Sequence, residues 1–266
     1  MQPEGERRTN AWTRHYLTQT QSSPRRSRRR PAAAAVAVAQ EACRDVPLLL
    51  QQQQRRRLRR PPMNLTAVTD EDEVMTRHVA DSLAVLPPLE RAYRGDLGGM
   101  RLVDVGSGAG LPGLILAVAR PRWKFMLLES MQKRCLFLEH AVEVMGLSNV
   151  DVVCDRAENV GQSLDFREAF DVAVARAVAE LKVLAEYCLP LVRIDGLFIA
   201  AKGHNPHEEI KNAKSAVHKL GASMLEVCDV ESMGPHGQRT AVVYIKERVT
   251  PKKYPRHPGT PSKMPL

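Results

Sequence analysis

Apolar residues in this chain form short continuous runs that alternate with stretches of helical spacing. A short run between turn residues predicts a buried strand, and apolar positions three and four apart predict a helix on a sheet. The predicted strands cover residues 101–105, 124–129, 150–154, 171–175, 196–201, 222–230 and 240–246. The predicted helices cover residues 111–119, 131–146, 180–190 and 206–220. This alternation indicates a doubly wound α/β sheet.

The helix predicted at 131–146 has a single apolar stripe, formed by Met131, Cys135, Leu138, Val142 and Met145. Steps of four and three residues place these side chains on one face, which would pack on the sheet. Gly146 follows at a position where glycine commonly ends a helix. A further helix is expected upstream, over residues 70–90.

The last two predicted strands have no helical stretch between them. They are separated by Met233-Gly234-Pro235-His236-Gly237, which predicts a hairpin loop and therefore an antiparallel strand at that edge. Seven strands with a terminal hairpin are the architecture of class I S-adenosylmethionine-dependent methyltransferases. The predicted fold is thus Rossmann-like, with a mostly parallel sheet.

Positive charge is concentrated at the start of the chain. The net charge is +9, but residues 1–60 contain about 14 Arg against four acidic residues, so residues 61–266 are near neutral. Any nucleic-acid contact of the folded part must come from a local basic patch. The Arg-rich segment has few aromatic residues, and we predict that it is unfolded. Its composition suits an organelle transit peptide, with a disordered basic tail as the alternative.

The five cysteines are Cys43, Cys135, Cys154, Cys188 and Cys228. They are odd in number, far apart and without a Cys-x-x-Cys pair, which predicts free thiols in a reducing compartment. His204 and His207 lack further ligand residues around them, so no metal centre is predicted. No apolar run approaches the roughly 20 residues that cross a bilayer.

A glycine-rich turn follows the first predicted strand. Gly108, Gly110 and Gly113 satisfy the dinucleotide pattern G-x-G-x-x-G, but the apolar run already stops at Val105. Counted from that strand end, the turn is Asp104-x-Gly106-x-Gly108-x-Gly110, with Leu111 next. This register favours a cofactor without a phosphate, whose ammonium group Asp104 could pair with directly or through water. We therefore predict S-adenosylmethionine rather than NAD.

Two further positions suit the same cofactor. Glu129 ends the second strand, where we predict that its carboxylate accepts hydrogen bonds from ribose hydroxyls, with a helix N-terminal charge as the alternative. Ala157 and Glu158 follow the third strand, where backbone groups could bind an adenine edge. A polar surface loop is the alternative there.

Arg176 ends the fourth strand, where the transferable methyl group would lie. Neither an Asn/Asp-Pro-Pro-aromatic motif nor a Pro-Cys pair occurs in the chain. Arginine binds a phosphate or carbonyl oxygen but cannot act as a general base. An acceptor with a free lone pair, such as guanine N7, needs no base and only in-line placement. We predict Arg176 as the catalytic residue for such a transfer.

Basic residues recur near the same predicted edge of the sheet and at the chain end. The candidates for RNA contact are Lys133, Arg134, Arg156, Lys202, Lys252, Lys253 and Arg256. The last three lie in a stretch with four prolines, which predicts an exposed, extended arm with Tyr254 as a stacking ring. A solvated tail is the alternative for that stretch.

Several of these motifs together resemble one family. Asn64-Leu65-Thr66, Arg77-His78-x-x-Asp81-Ser82, the turn from Asp104 to Gly113, and the closing stretch from Lys253 to Pro261 occur in the order typical of ribosomal RNA small subunit methyltransferase G, also called glucose-inhibited division protein B. The resemblance covers about residues 63–266. It implies methylation of guanine N7 in small-subunit rRNA, with S-adenosylmethionine as donor. Gly106, Leu111, Ala157, Glu158 and Arg176 would contact the cofactor.

The resemblance also implies a domain plan. Residues 1–60 would be a basic extension, 61–100 a helical segment, 101–248 the methyltransferase domain and 249–266 the C-terminal arm. Family members usually have an amphipathic helix with a Trp-Asn pair before Asn-Leu-Thr, whereas Gln51 to Arg60 and two prolines stand here. The long basic start suggests a plant organellar form, so we expect a chloroplast location, with mitochondrion or cytoplasm as alternatives.

Two other functions stay open at this point. An NAD-dependent oxidoreductase would need the first strand to extend to Ser107 and a residue that relays protons near the nicotinamide. A non-catalytic ribosome-assembly factor would only bind rRNA, without methyl transfer. For the predicted methyltransferase the partner would be small-subunit rRNA or the assembling small ribosomal subunit, and we expect a monomer that does not associate with membranes.

Overall fold

The structure is a computed structural model that describes residues 75–176, 178–234 and 237–266. For residues 75–77, 233, 234 and 237 only the backbone is described. The predictions for the basic extension at 1–60, for residues 61–74 and for the tip of the terminal hairpin lie outside the described residues.

Seven strands form one sheet, in the order β3-β2-β1-β4-β5-β7-β6. They are β1 (Arg101–Val105), β2 (Lys124–Glu129), β3 (Val150–Cys154), β4 (Phe170–Arg176), β5 (Val192–Lys202), β6 (Ala222–Gly234) and β7 (Gly237–Lys246). The first five are parallel to one another, and β7 is antiparallel to both β5 and β6. The predicted mixed sheet with an antiparallel edge hairpin is confirmed.

The four predicted helical regions form helices. They contain α3 (Gly113–Ala119), α4 (Gln132–Val144), α6 (Leu181–Cys188) and α7 (His207–Lys219). Beyond α4, Gly146 takes a positive φ of 64° and donates its N–H to the carbonyl of Glu143, as expected for a helix stop. The sequence analysis did not predict two short helices, α5 (Ala157–Val160) and α8 (Thr260–Lys263).

The prediction of one continuous helix over residues 70–90 is wrong for its described part. A π-helical segment (Met75–Ala80) continues into α1 (Asp81–Leu83), and after a turn α2 (Leu86–Ala92) begins. Proline stands in the first turn of α2. Because Pro87 and Pro88 have no N–H to donate into a preceding turn, they favour a new helix start over the continuation of the old helix.

Side chains of the central strands alternate between two apolar layers. Leu102 and Val174 lie in the core on one face of the sheet, together with residues of α1, α2, α3 and α4. Val103 and Ala175 lie in the core on the other face, with residues of α6 and α7. Burial on both faces explains why the strands are nearly continuous apolar runs. Polar side chains are thereby confined to the strand ends.

Among the described helices, none is both long and apolar enough to pass through a membrane. The described residues also contain no group of three or more His, Cys, Asp or Glu side chains that could hold a metal ion. His204 and His207 are exposed.

Candidate cofactor and methyl-transfer site

The glycine-rich turn connects the end of β1 to the start of α3. The backbone N–H groups of Gly106 and Ser107 both donate to the carbonyl of Leu128, at 2.8 and 3.1 Å, so the turn is fixed to the neighbouring strand β2. Gly106, Gly108 and Gly110 have positive φ values of 75°, 60° and 88°. Residues with a Cβ rarely adopt this conformation, which explains the glycines.

Asp104 is the penultimate residue of β1 and is 1% exposed. One carboxylate oxygen, Oδ2, accepts the backbone N–H of Gly113 at 2.9 Å, so it satisfies a free donor at the start of α3. The other oxygen, Oδ1, is buried without a hydrogen-bond partner among the described residues. Burial raises the pKa of this carboxyl to about 6, although the Gly113 N–H and the charge of Arg176 act in the opposite direction. At neutral pH the site therefore has a buried negative charge with a free acceptor.

Glu129 ends β2 beside the glycine-rich turn and is 4% exposed. Its two carboxylate oxygens accept the N–H of Gly108 at 3.0 Å and the N–H of Met131 at 2.9 Å. Each carboxylate oxygen can accept a further hydrogen bond, so ribose hydroxyls could still bind there. The side chain thus links the turn to the residue before α4 and lies next to the predicted cofactor position.

A pocket of about 250 Å³ opens beside this turn. Residues from six segments contribute to its wall, among them Gly106, Leu128, Ala157, Val178, Tyr187 and Ser262. The structure therefore brings together the first predicted glycine, the end of β2 and the start of α5. Gly108, Gly110 and Leu111 lie in the same turn, and Leu111 is buried against the core.

Glu158 lines the pocket but its carboxylate is engaged elsewhere. Arg156 Nη2 donates to Oε1 at 2.9 Å, and the backbone N–H of Gly259 donates to the same oxygen at 2.8 Å. The pKa of Glu158 is lowered, because these hydrogen bonds outweigh the effect of burial. The carboxylate of Glu158 thus binds Arg156 and Gly259, and contact of an adenine edge with the backbone groups of Ala157 and Glu158 stays a prediction.

Arg176 ends β4 and lies in a buried cluster of charges. Its Nη1 is 3.6 Å from Oδ2 of Asp81, and Nε of Arg239 is 2.8 Å from the same oxygen. The hydroxyl of Ser232 donates to the other oxygen of Asp81. Burial lowers the pKa of Arg176, while the charges of Asp81 and Asp104 raise it. Two carboxylates and two guanidinium groups, from α1, β1, β4 and β7, thus meet at the carboxyl end of the sheet.

The predicted basic rim is largely neutralised by carboxylates. Lys202 donates to Glu209 Oε1 at 2.6 Å and its side chain is 11% exposed. Arg134 lies 3.6 Å from Glu129, and Arg156 is bound to Glu158. The prediction of Lys202 on an exposed rim is wrong, because a buried ammonium group needs a counter-charge and finds one on α7. Lys133 is exposed as predicted.

The predicted free arm at the chain end is also wrong in part. Residues 250–266, called the C-terminal segment below, pack against the domain and include the helix α8, which starts with proline in its first turn. Tyr254 is 7% exposed and belongs to the core. Arg256 is bound to Glu186 at 2.6 Å, so its guanidinium group is not available as an exposed phosphate ligand. Lys252 and Lys253 are exposed, and their contact with RNA stays a prediction.

Comparisons with known proteins agree with this geometry. The family model of rRNA small subunit methyltransferase G (GidB) matches residues 60–238. The chain is 48% identical over 203 residues to the protein of that name from Carboxydothermus hydrogenoformans, covering 76% of this chain and 84% of the relative. The chain is also 47% identical over 209 residues to the protein of that name from Symbiobacterium thermophilum. This alignment covers 77% of this chain and 83% of the relative. The chain belongs to this family.

Solved structures support the fold of this methyltransferase G family member. A candidate sarcosine dimethylglycine methyltransferase from Galdieria sulphuraria aligns with a TM-score of 0.50 and 12% identity, covering 67% of this chain and 88% of the other. The class I methyltransferase fold predicted from the strand pattern is therefore confirmed. The oxidoreductase alternative is wrong, because the family is one of methyltransferases.

Sequence reasoning missed part of the site of this methyltransferase. Asp81, Ser232 and Arg239 had no predicted role, yet they complete the cluster around Arg176. Asp81 stands in the motif Arg77-His78-x-x-Asp81-Ser82. A polar motif within an otherwise apolar helix was the one signal in the sequence that could have pointed to a role for Asp81. Nothing local marks Ser232 and Arg239, which reach the site only because the β6-β7 hairpin lies at the sheet edge.

The buried carboxyl of Asp104 predicts a pH dependence of stability. The pKa is about 6 in the folded protein and about 3.9 in an unfolded chain, so folding favours the protonated form. The contribution of Asp104 to the free energy of unfolding therefore falls as pH rises from about 4 to about 6. In Asp104→Asn this loss is absent, and the stability of the variant relative to the wild type should increase by about 1–3 kcal/mol over that range. Urea unfolding of both proteins at several pH values measures this difference, and parallel curves would contradict it.

Proposed function

We propose that this protein transfers the methyl group of S-adenosylmethionine to N7 of a guanine in small-subunit rRNA. Its place in the methyltransferase G family and the structure around Asp104 together support this proposal. Oδ1 of Asp104 is buried without a partner among the described residues and lies next to a turn whose positive φ values favour glycine. This is the single structural observation on which the cofactor assignment rests.

The residues around the pocket fit this cofactor. Asp104 would bind the ammonium group directly or through water, because its free acceptor carries negative charge at neutral pH. Glu129 would accept the ribose hydroxyls, and backbone groups at Ala157 would bind the adenine. The absence of side chains at Gly106 and Gly108 lets a ligand approach the backbone of the turn. When bound, S-adenosylmethionine supplies an electrophilic methyl group on a sulfonium.

Among the described residues around the end of β4, neither Arg176, Cys188 nor Asp81 is suited to remove a proton or to attack the acceptor base. Arg176 is protonated at neutral pH and cannot serve as a base. Cys188 is buried, and burial raises the pKa of its thiol well above its ordinary value, so it is no thiolate nucleophile. The carboxylate of Asp81 is engaged by Ser232 and Arg239. Guanine N7 has a lone pair and no proton, so it is an acceptor that such a site can methylate.

The charge cluster suits a reaction in which positive charge passes from the sulfonium to the base. Asp81 and Asp104 balance the formal charges of Arg176 and Arg239, so the cluster does not repel a cation. Arg176 keeps hydrogen-bond donors for the guanine carbonyl oxygen or a phosphate, and would fix the base with N7 in line with the methyl group. We assign Arg176 this orienting role.

The RNA would reach this edge over a surface with few free positive charges. Lys133 follows the end of β2, and Lys252 and Lys253 are exposed in the C-terminal segment. These lysines are the candidates for phosphate contacts that hold rRNA at the pocket. Small-subunit rRNA is therefore the proposed partner.

The experiment that tests the function is an in vitro methylation assay. The purified full chain is incubated with isotope-labelled S-adenosylmethionine and unmodified small-subunit rRNA, and nucleosides are then separated and identified by mass spectrometry. We expect label in N7-methylguanosine, approaching one equivalent per RNA. Label in another nucleoside would exclude N7 as the acceptor.

The same assay decides against a non-catalytic assembly factor. Binding of S-adenosylhomocysteine is measured in parallel by calorimetry. A protein that binds both S-adenosylhomocysteine and rRNA but transfers no methyl group to either naked rRNA or small subunits would be such a factor, and the proposed activity would be wrong.

A further inference from the structure

The C-terminal segment lies against both helices that flank the cofactor pocket. One helix is α5, whose first residue Ala157 lines the pocket, and the other is α6, which contributes Tyr187. The segment itself contributes Ser262 to the pocket wall. A stretch expected to be a free arm thus forms one side of the site.

The attachment to α6 is a fully buried carboxylate. Glu186 is 0% exposed and accepts four hydrogen bonds from Arg256, one from its backbone N–H at 2.8 Å and three from its guanidinium group at 2.6 to 3.2 Å. A buried carboxylate that is paired so completely has a single geometry. Position 256 is therefore fixed relative to Tyr187, the next residue on α6.

The attachment to α5 uses backbone and amide groups. The N–H of Gly259 donates to Glu158 at 2.8 Å, and the side chain of Gln162 donates to the carbonyl of Pro255 at 2.7 Å. Pro255 also packs on Gly161, where an added Cβ would lie 2.8 Å from the proline ring. Both ends of α5 are held by the C-terminal segment.

We propose that the C-terminal segment is a brace of the cofactor pocket, and that Arg256 and Glu186 are positioning residues for cofactor binding. The inference rests on the proposed function, because it takes S-adenosylmethionine as the ligand of this pocket. A helix of four residues has little stability of its own, so the position of α5 depends on what it packs against. Arg256 holds the segment on α6, and the segment in turn holds α5 where its backbone meets the adenine.

The test measures binding of S-adenosylhomocysteine by calorimetry to the full-length chain and its variants, well below their unfolding temperatures. In Arg256→Ala the segment loses its buried ion pair with α6. We expect Kd to rise about tenfold or more, because the binding free energy of the ligand must then also order α5. KM for S-adenosylmethionine should rise in parallel, while kcat at saturation and KM for rRNA change by less than about threefold. Arg256→Lys keeps a charged donor for Glu186 and should recover part of the affinity.

Two further variants separate positioning from general stability. Gln162→Ala removes one link between α5 and the segment without leaving a buried charge, so it should fold and raise Kd by roughly threefold to fivefold. Arg193→Ala removes another arginine–carboxylate pair, with Asp171 at 2.6 Å, at the opposite end of the sheet. It should lower Tm and leave Kd unchanged. Hydrogen exchange at residues 156–162 should be faster in Arg256→Ala and Gln162→Ala, but not in Arg193→Ala.

The outcomes are distinct. If the wild type does not bind S-adenosylhomocysteine, the cofactor assignment itself fails. If the wild type binds and Gln162→Ala binds equally well with unchanged exchange, the brace is overturned, even where Arg256→Ala does not fold. An equal loss of affinity in Arg193→Ala would show a general effect of stability and would also overturn it.

Discussion

Replacement of Arg176 by alanine is expected to lower kcat/KM for rRNA methylation by about 100-fold to 1000-fold, the loss typical of a preorganised donor removed from a buried site. Arg176 lies at the end of β4 with 13% of its side chain exposed, so its guanidinium group is held in a desolvated position by Asp81 and Asp104. The reacting base would lose its orienting hydrogen bonds. The fold should survive, because Asp81 keeps its ion pair with Arg239.

The measurement combines steady-state methylation with binding of S-adenosylhomocysteine. Since Arg176 acts on the acceptor, Kd for S-adenosylhomocysteine should change much less than kcat/KM. Arg176→Lys keeps the positive charge but lacks the planar guanidinium group with its paired donors, so it should be little more active than Arg176→Ala. Arg120→Ala is a matched control, because Arg120 is also partly buried and paired with a carboxylate, that of Glu90, but lies before β2 and away from the site. Unchanged turnover in Arg176→Ala would remove this residue from the reaction.

Replacement of Gly106 by alanine is expected to raise Kd for S-adenosylhomocysteine by about 100-fold or more, because the turn then has a side chain where the ligand needs bare backbone. Gly106 has a φ of 75°, and an added Cβ would lie 2.7 Å from Cγ2 of Val178. Val178 lines the same pocket, so any shift that relieves this contact changes the ligand space. The left-handed conformation should also cost about 1–2 kcal/mol of stability.

Gly99→Ala provides the control for Gly106→Ala. At Gly99 no heavy atom lies within 4 Å of an added Cβ, and the backbone has no positive φ. This variant should bind S-adenosylhomocysteine like the wild type and unfold at a similar or slightly higher temperature. If Gly106→Ala also bound like the wild type, the ligand would not approach the turn as proposed.

The strand pattern was sufficient to predict the sheet. Runs such as Val172 to Ala175 are apolar throughout because both faces of the central strands are buried, and this signal is local. The missing helical stretch before residue 240 likewise predicted the antiparallel hairpin. The break between α1 and α2 was marked only by Pro87 and Pro88, since apolar residues continue across it.

The candidate site was predictable where its residues follow one another along the chain. The glycines and Asp104 form one continuous motif, and the strand end at Glu129 lies beside it. Which cations are free was not predictable. In the sequence, nothing distinguishes Lys202 and Arg256 from the exposed Lys253. Lys202 pairs with Glu209 and Arg256 with Glu186, and these carboxylates come close only in the folded chain.

The charge cluster joins parts of the polypeptide that are synthesised far apart in time. Asp81 belongs to the first described helix and Arg239 to the last strand, 158 positions later, and their ion pair closes the site. Such long-range contacts form late, after the loops between them have been ordered. A nascent chain that has emerged only as far as β5 could complete the central strands but would still lack Arg239 and the C-terminal segment. We therefore expect methyl transfer to RNA to require β7 and the C-terminal segment, both of which follow β5 along the chain.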